Sequence, residues 1–320
     1  MKLVVQIPCL NEADTLPLVL ATLPREVDGF DEVEWLVIDD GSTDGTADVA
    51  RNLGVDHVLR HTATMGLARS FRDGVDFALA HGADVVVNTD GDNQYPSNRV
   101  GDLAAPILAG EADIVVADRQ TATIEHFSPF KKRMQRLGSR VVSAAANTSL
   151  PDAASGFRAY SRAALLRLNV ITQFSYTMET IIQAGNKHLR IVSVPVVTNA
   201  KTRESRLFRN IWQHMGRSAR AIVRSSIMFR PHLVFLTLAA LFFLASAVPA
   251  VRFLVFFAQG EGDGHVQSLI FAAAMLVGTL LCLALLVLAD LQRTNRILVE
   301  DTLERVKNLQ YGRDRLGRDA

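Results

Sequence analysis

The sequence predicts an α/β domain with a mostly parallel central sheet, followed by interfacial helices and a transmembrane helical hairpin. Two observations carry this prediction. Short apolar runs alternate with helical periods over residues 1–200, and two long uncharged apolar runs follow at 233–251 and 268–289. The chain has 320 residues, which suffices for one domain of about 200 residues and a smaller part.

Six short apolar runs are the candidate strands. They are Leu3 to Cys9, Val33 to Asp39, His57 to Arg60, Asp84 to Thr89, Ile114 to Ala117 and Ile191 to Val197. Helical periods lie between them, and the clearest spans residues 67–79 with apolar side chains at a spacing of four. The alternation favours parallel strands joined by helices. Because ligands bind beyond the carboxyl ends of strands in such sheets, the residues after each strand are the candidate site.

The first apolar run does not resemble a signal peptide. It is interrupted by Pro8 and followed by Asn11 and Glu12, which makes it too short for the apolar region of such a peptide. We therefore predict a buried strand there.

The two uncharged runs, Leu233 to Val251 and Ser268 to Ala289, predict membrane spans over about residues 233–257 and 267–289. Each is long enough to cross a hydrocarbon core about 30 Å thick. A buried hairpin of a soluble core is the alternative, and two uncharged runs of this length disfavour it.

Charges around the two runs predict their orientation. Lys and Arg residues lie before the first run and after the second, whereas the connector Gln259 to His265 carries two acids and no Lys or Arg. By the positive-inside rule we expect a multi-pass cell-membrane protein with its N-terminal domain and its tail, 291–320, in the cytoplasm. The tail is loosely amphipathic. It could lie on the membrane, pair with a second copy in a homo-oligomer, or simply extend the second span.

A basic segment precedes the first span. Residues 201–230 contain eight Lys or Arg residues and one acid, with apolar residues at helical spacing between them. This pattern predicts an interfacial helix with its arginines toward lipid phosphates. General adhesion to the membrane, without contact with a substrate, is the alternative.

Overall composition excludes two kinds of site. The net charge of +1 gives no electrostatic argument for a nucleic-acid partner. Cys9 and Cys282 are too few for a disulfide framework, and Cys282 lies in an apolar run as a small hydrophobic residue. We expect a reducing environment for the N-terminal domain and no metal site built from cysteine.

Acidic side chains follow three candidate strands, in the segments 8–12, 39–46 and 90–94. Asp90 and Asp92, one residue apart at a strand end, can both face a divalent cation such as Mg²⁺ or Mn²⁺. Such a cation neutralises a leaving diphosphate. An Asp-Gly turn that caps the next helix is the alternative. Asp39 and Asp40 suit a turn before a helix capped by Thr43 or Asp44, or the reading of a nucleobase by a carboxylate.

Four motifs occur in a fixed order. They are Ile7-Pro-x-Leu-Asn-Glu12, Val37-Ile-Asp-Asp-Gly-Ser-Thr-Asp-Gly-Thr46, Asp90-x-Asp-x-Gln94 and Asp152-x-x-Ser-Gly-Phe-Arg158. Together they resemble the family-2, GT-A-fold glycosyltransferases of the dolichyl-phosphate-mannose synthase and bacterial polyprenyl-phosphate glycosyltransferase type. The resemblance covers roughly residues 1–230 and implies a GT-A, nucleotide-diphospho-sugar transferase domain over residues 1–200. The terminal two-span hairpin also occurs in bacterial members.

The resemblance implies a role for each matching residue. The nucleotide pocket would be formed by Pro8, Leu10, Glu12 and Asp40, with Asp39 shaping it. The metal and diphosphate would be held by Asp90, Gly91, Asp92 and Gln94, with Asp90, Asp92 and Gln94 as metal ligands. Asp152 would lie near the sugar, unless it only caps a short turn.

Three arginines are candidates for phosphate binding. Arg203 and Arg206 lie where the resembling family carries basic residues toward the donor and acceptor phosphates. Here the commoner Gly-x-Ser-Lys pattern reads Glu204-Ser205-Arg206, and Arg206 keeps the charge. Arg119, which follows a candidate strand, is a further candidate for the acceptor phosphate. A solvated surface position is the alternative for each.

These observations predict transfer of a hexose from a nucleotide sugar, such as GDP-mannose or UDP-glucose, to a polyprenyl phosphate. Asp92, Asp152, Arg203 and Arg206 are the predicted catalytic residues. The lipid phosphate is already anionic, so a single inverting displacement needs no strong general base. The alternatives are a different membrane acceptor, either a glycolipid or a polysaccharide, and a catalytically idle membrane scaffold. A processive polysaccharide synthase would be expected to carry a Gln-x-x-Arg-Trp motif, which the sequence lacks.

Overall fold

The computed structural model describes residues 1–120, 139, 142–143, 146, 148, 150–170, 176–199 and 231–316. The chain divides into two compact units. The sheet unit contains Met1–Ser218 and Glu300–Ala320, and the hairpin unit contains Ala219–Val299. The basic segment 201–230, with Arg203 and Arg206, lies outside the described residues.

The described strands of the sheet unit form one sheet in the order β3-β2-β1-β4-β6-β5-β7. Their bounds are β1 Lys2–Cys9, β2 Glu32–Asp39, β3 His57–Arg60, β4 Val85–Asn88, β5 Ile114–Asp118, β6 Arg158–Ser161 and β7 Ile191–Pro195. Only β6 is antiparallel to its neighbours, so the sheet is mixed and mostly parallel. The six predicted strands agree with the structure within two residues, and β6 was not predicted.

Helices cover the sheet. They are α1 Leu16–Thr22, α2 Thr46–Asn52, α3 Leu67–Ala80, α4 Val100–Leu108, α5 Arg162–Arg167 and α6 Tyr176–Asn186. The predicted period in α3 is confirmed, because Phe71, Val75 and Leu79 are buried. Gly74 lets α3 approach the sheet closely, since a Cβ there would lie 2.5 Å from Gln6 Oε1 and 2.9 Å from Ile38 Cδ1.

The central strands are buried on both faces, as expected for a sheet covered by helices. From Leu3 to Cys9 every residue of β1 is buried, and so is every residue of β4. Two polar side chains interrupt this apolar interior. Gln6 Nε2 donates to Asn88 Oδ1 across β1 and β4 at 3.0 Å.

The hairpin unit contains α7, Pro231–Ala258, and most of α8, Val266–Leu316. Their most apolar windows have mean hydropathy values of 2.3 and 2.7, and only 11% and 17% of the residues there are buried. Apolar side chains such as Leu244 and Val248 are exposed. Helices of this length and composition would be mostly buried in a soluble core, so these two suit a lipid environment.

Small residues form the contact between α7 and α8. Ala239, Ser246 and Ala272 are buried there, and Ser246 Oγ donates to the Ala272 carbonyl at 2.8 Å. Close packing of small residues with an interhelical hydrogen bond is typical of membrane helix pairs. Cys282 is buried and unpaired by a disulfide, as predicted for a small hydrophobic residue.

The last turns of α8 belong to the sheet unit. Lys307 Nζ donates to the Leu168 carbonyl at 2.9 Å, and Tyr311 Oη donates to Asp76 Oδ1 on α3 at 3.3 Å. Lys187 Nζ lies 3.1 Å from Glu300 Oε2. The predicted tail therefore continues the second apolar helix, one of the three interpretations that the sequence left open. Its contacts with α3, Leu168 and Lys187 were not predicted.

Candidate active site

The acidic motifs meet at one edge of the sheet. Glu12 follows β1, Asp39 ends β2 and Asp40 comes next, while Asp90 and Asp92 follow β4. These three strands are parallel neighbours in the order β2-β1-β4, so their carboxyl ends lie side by side. The chain winds outward from β1 in one direction through β2 and β3 and later places β4 on the other side. Binding crevices of open α/β sheets form at such switch points.

Hydrogen bonds join the loops that follow β1 and β2. The Asn11 amide donates to Ser42 Oγ and the Glu12 amide to Thr46 Oγ1, both at 2.9 Å. Asn11 has a φ of 55°, a left-handed conformation that asparagine adopts more readily than most residues. The turn after β1 is therefore fixed against the turn after β2.

The loop after β4 is joined to the same turn. Thr15 Oγ1 lies 2.8 Å from both Glu12 Oε2 and the Gly91 carbonyl oxygen. A Cβ on Gly91 would lie 2.7 Å from Cys9 Sγ, so only glycine permits this approach without a shift. Of the predicted pocket residues, Pro8 is buried within β1 and Leu10 is 38% exposed.

The Cys9 thiol reports how close the acids lie. Burial raises its pKa well above the usual value, and the negative charges of Glu12, Asp39, Asp90 and Asp44 raise it further. Carboxylates from three loops therefore act on one buried sulfur. The structure thus places Glu12, Asp39 and Asp90, one predicted acid from each strand end, near one buried side chain.

The Asp90–Gln94 loop is held from both ends. Asp92 accepts hydrogen bonds from the Gln94 amide at 3.2 Å and from Gln94 Nε2 at 2.8 Å. Gln94 thus faces Asp92, which it orients. Asn199, beyond β7, donates through Nδ2 to the carbonyls of Asn93 and Tyr95 at 3.0 and 3.2 Å. The loop therefore has a defined conformation.

The donor set of this loop fits a divalent cation. No group of three or more His, Cys, Asp or Glu residues suited to a metal occurs in the part of the chain that the structure describes. Asp90 and Asp92 supply two carboxylates. Mg²⁺ commonly binds through one or two carboxylates and completes its shell with substrate phosphates and water. A two-carboxylate loop is therefore sufficient when a diphosphate is the other ligand.

Asp39 and Asp40 have different surroundings. Asp39 Oδ1 accepts the Ser42 amide at 2.9 Å, which is the predicted turn. Asp39 Oδ2 is buried without a hydrogen-bond partner among the described residues, and Arg60 Nε lies 3.2 Å away outside hydrogen-bonding geometry. Asp40 accepts the amides of Met65 and Gly66, each at 2.8 Å. Of the two, Asp40 thus accepts more hydrogen bonds from the protein backbone.

Arg119 and Asp152 form a bidentate ion pair. Arg119 Nε and Nη2 donate to the two oxygens of Asp152 at 2.6 and 3.0 Å. The pKa of Arg119 is raised: burial opposes this, but the hydrogen bond and negative charge of Asp152, with the charge of Asp90, outweigh it. Arg119 is therefore a largely buried residue of the crevice. Asp152 also accepts the Ala154 amide at 3.3 Å, consistent with its turn-capping alternative.

A set of buried residues supports the crevice and was not predicted. Arg158, fully buried, donates to the carbonyls of Ser155, Thr177 and Ala153 at 2.7, 2.7 and 2.8 Å. Asn88 Nδ2 donates to the Gly156 carbonyl at 3.0 Å. The signal that could have identified Asn88 is its place as a polar residue at the end of an otherwise apolar strand. For Arg158, no sequence pattern indicates burial.

Residues 4–168 match the family model described as glycosyl transferase family 2. The undecaprenyl-phosphate mannosyltransferase of Micrococcus luteus is 30% identical over 207 residues, which are 61% of this chain and 83% of that protein. The polyprenol monophosphomannose synthase of Mycolicibacterium smegmatis is 27% identical over 61% of this chain and 76% of that protein. The dolichyl-phosphate hexose transferase of Haloferax volcanii is 29% identical over 62% of this chain and 82% of that protein.

Among solved structures, the chain is similar to glucosyl-3-phosphoglycerate synthase from Mycobacterium tuberculosis in complex with Mn²⁺, UDP and phosphoglyceric acid. The TM-score is 0.54 at 22% identity, over 70% of this chain and 76% of that one. At this identity the similarity shows the fold alone, which is the predicted GT-A type of α/β fold.

Proposed function

Because the chain belongs to glycosyl transferase family 2 and is a glycosyltransferase, we propose that it transfers a hexose from a nucleotide-diphosphate sugar to a polyprenyl phosphate. One observation carries the proposal: the acidic ends of β1, β2 and β4 meet in one crevice, in a chain that also bears two exposed apolar helices. Relatives named for undecaprenyl-phosphate, polyprenol and dolichyl-phosphate acceptors support the lipid phosphate, and their names support a hexose such as mannose.

A divalent cation is the cofactor of the proposal. Mg²⁺ or Mn²⁺ would be held by Asp90 and Asp92 and would neutralise the charge that develops on the departing diphosphate. Gln94, the third metal ligand that the resemblance implies, would also keep Asp92 in place through its two hydrogen bonds. The nucleotide would lie along the ends of β1 and β2, where Pro8, Leu10, Glu12, Asp39 and Asp40 are assembled.

The protein's own residues position the two substrates. Asp152 uses both carboxylate oxygens on Arg119, so it orients this arginine and is not poised as a general base. Nη1 of this guanidinium, which has no hydrogen bond among the described residues, would contact a phosphate. Arg203 and Arg206 are proposed to hold the remaining phosphate charge from the basic segment. An anionic lipid phosphate attacks without prior deprotonation, and a single displacement inverts the anomeric centre.

The proposed location follows from the two apolar helices and their flanking charges. The exposed apolar surface of α7 and α8 suits a bilayer. Lys and Arg residues flank the hairpin at 201–230 and at 293–296, and the connector carries two acids and no Lys or Arg. We therefore place the crevice on the cytoplasmic face, where nucleotide sugars are made available.

The test is a transfer assay with the full-length protein in lipid vesicles. Radiolabelled GDP-mannose, UDP-glucose and related donors are offered with undecaprenyl or dolichyl phosphate and with Mg²⁺ or Mn²⁺. We expect a labelled lipid that depends on the acceptor phosphate, and the matched control is the polyprenol without its phosphate. Label found in a glycolipid, a polysaccharide or a soluble phosphorylated acceptor contradicts the proposal. Transfer that survives complete chelation removes the metal from it.

A further inference from the structure

His61 lies between two carboxylates at the edge of the crevice and belongs to none of the sequence motifs. Its Nδ1 is 2.7 Å from Asp40 Oδ1, and its Nε2 is 3.2 Å from Asp73 Oδ2 on α3. The backbone amide of His61 donates to the Asp39 carbonyl at 2.9 Å. The imidazole side chain is only 9% exposed. The ring is therefore hydrogen-bonded at Nδ1 and its residue at the backbone, whereas Nε2 lies near Asp73 without a hydrogen-bond partner among the described residues.

Asp40, the partner of His61, holds the loop that follows β3. Its carboxylate accepts the amides of Met65 and Gly66 in addition to the imidazole. The loop from His61 to Gly66 is thereby pinned at both ends to one side chain. Gly41 brings it closer still: φ is +75°, and a Cβ would lie 2.8 Å from the Ala63 carbonyl carbon and 2.9 Å from the Thr64 nitrogen.

This loop forms the wall of the crevice that lies farthest from the Asp90–Gln94 loop. The strands between them are β2 and β1, so three strand spacings of about 4.8 Å separate the two loops by roughly 14 Å. Residues 62–65 are exposed, and the unsatisfied Asp39 Oδ2 lies in the adjacent turn. If the diphosphate lies at the end of β4, the nucleobase of the same donor reaches toward this wall.

We propose that His61, through the hydrogen bond of its Nδ1, is a positioning residue of the donor pocket that fixes Asp40 and, through it, the 62–66 loop against which the nucleobase packs. The inference rests on the proposed function and adds a determinant of donor binding to it. A hydrogen bond to an ionised carboxylate is stronger than a neutral one. Loss of the imidazole leaves Asp40 with its two amide contacts and allows the carboxylate to turn. Arg69 Nε, 2.7 Å from Asp73 Oδ2, keeps Asp73 in place on α3.

Two substitutions separate the two nitrogens of the ring. Asparagine places an amide donor near the position of Nδ1, and glutamine places one near Nε2. His61→Asn therefore keeps the hydrogen bond with Asp40, whereas His61→Gln loses it and leaves a polar group only near Asp73. We expect His61→Gln to raise the Kd for a nucleoside diphosphate and the KM for the donor about tenfold, and His61→Asn to change them by less than about threefold. Asp73→Asn gives a smaller rise than His61→Gln.

The experiment measures GDP and UDP binding by calorimetry to the full-length protein in detergent, then donor KM, acceptor KM and kcat. The kcat at saturating donor and the acceptor KM stay within about twofold, because the residue acts through Asp40 and not on the reacting atoms. His57→Gln is the matched control, since His57 lies at the other end of β3 and contacts Glu34 at 3.1 Å. Its binding should match the wild type.

Each outcome of the binding experiment supports or overturns the proposal. If His61→Gln and His61→Asn bind the nucleotide as well as the wild type does, the positioning role is wrong and the proposed function stands. If both variants weaken binding equally and both lower the melting temperature, His61 is a general structural residue and the inference is overturned. If the wild type binds neither nucleotide, the proposed function fails together with the inference.

Discussion

Two acidic pairs, Asp39–Asp40 after β2 and Asp90–Asp92 after β4, follow buried parallel strands and differ in what surrounds them. Asp40 accepts two backbone amides and an imidazole from the next segment of chain, and Asp39 accepts an amide of its own turn. Asp92 accepts two hydrogen bonds from Gln94, within its own loop. Paired acids at a strand end therefore do not have one meaning. Asp40 fixes a neighbouring segment of chain through its carboxylate, whereas Asp92 is oriented by a side chain of its own loop.

The sharpest test of this comparison is Asp92→Asn. The substitution removes one of the two charges proposed to hold the cation, and metal stabilisation of a leaving group is worth several kcal/mol. We expect kcat to fall at least about a hundredfold. The melting temperature should change little, because asparagine can still accept hydrogen bonds from Gln94 through its carbonyl oxygen. Assays of transfer and thermal unfolding on one preparation check both. A variant that loses its fold together with its activity would assign Asp92 to structure.

The second test concerns the turn after β2. Gly41→Ala adds a Cβ against the backbone of Ala63 and Thr64 at a φ of +75°. Gly45→Ala is the matched control, with a φ of +86° and nothing within 4 Å of its Cβ. Both variants carry the cost of a left-handed alanine, about 1–2 kcal/mol. We expect Gly41→Ala to lower the free energy of unfolding by a further 1–3 kcal/mol or so, the usual cost of overpacking. If chemical denaturation shows equal losses of unfolding free energy for the two variants, the backbone at residues 63–64 moves aside at no cost and the prediction is wrong.

A third substitution moves Asp90 without changing its charge. A Cβ on Gly156 would lie 3.2 Å from both Asp90 oxygens and 3.3 Å from Tyr176 Oη. Gly156→Ala should shift the carboxylate by a few tenths of an ångström and reduce kcat about threefold to tenfold, because small displacements of a catalytic group are costly. Transfer rates at saturating metal measure the effect. If added metal restores full activity, the shift affects only metal affinity.

The smallest expected effect involves a carboxylate outside the crevice. Burial raises the pKa of Asp76, while Lys307 and the Tyr311 hydroxyl oppose the rise. The native state then holds this proton more tightly than the unfolded chain. Its contribution to stability is fully present below the unfolded pKa, about 3.9, and is lost as pH rises through the native pKa. Relative to the wild type, Asp76→Asn should therefore become more stable as pH rises from the unfolded to the native pKa of Asp76. Above the native pKa the difference should stay constant.

Denaturant titrations at a series of pH values follow this difference. Tyr311→Phe supplies the partner experiment, because loss of the opposing hydrogen bond should raise the native pKa of Asp76 and extend the window to higher pH. A difference curve for Asp76→Asn that is flat across the acid range would contradict the role of burial.

The positions of the acidic residues at the strand ends could be predicted from the sequence, but their long-range hydrogen-bond partners could not. Strand ends are visible because buried parallel strands are apolar and the acids interrupt them, which is why Asp90 and Asp92 could be placed next to Glu12. The partners of Asp40 lie 21 to 26 residues further along the chain, and Arg119 and Asp152 are 33 residues apart. No local pattern encodes such pairs. Strand β6 was missed because its four residues include Arg158 and Ser161, and its antiparallel direction leaves no mark on composition.

The last turns of α8 bear on how the protein is made. Lys307 and Tyr311 complete the packing around α3 and Leu168, yet they are translated after both apolar helices. During synthesis the ribosome must therefore deliver the hairpin before the sheet unit receives its final piece. The sheet unit can therefore complete its folding only after the two apolar helices have been synthesised. A chain that ends at residue 230 lacks the segment that packs against α3 and Leu168.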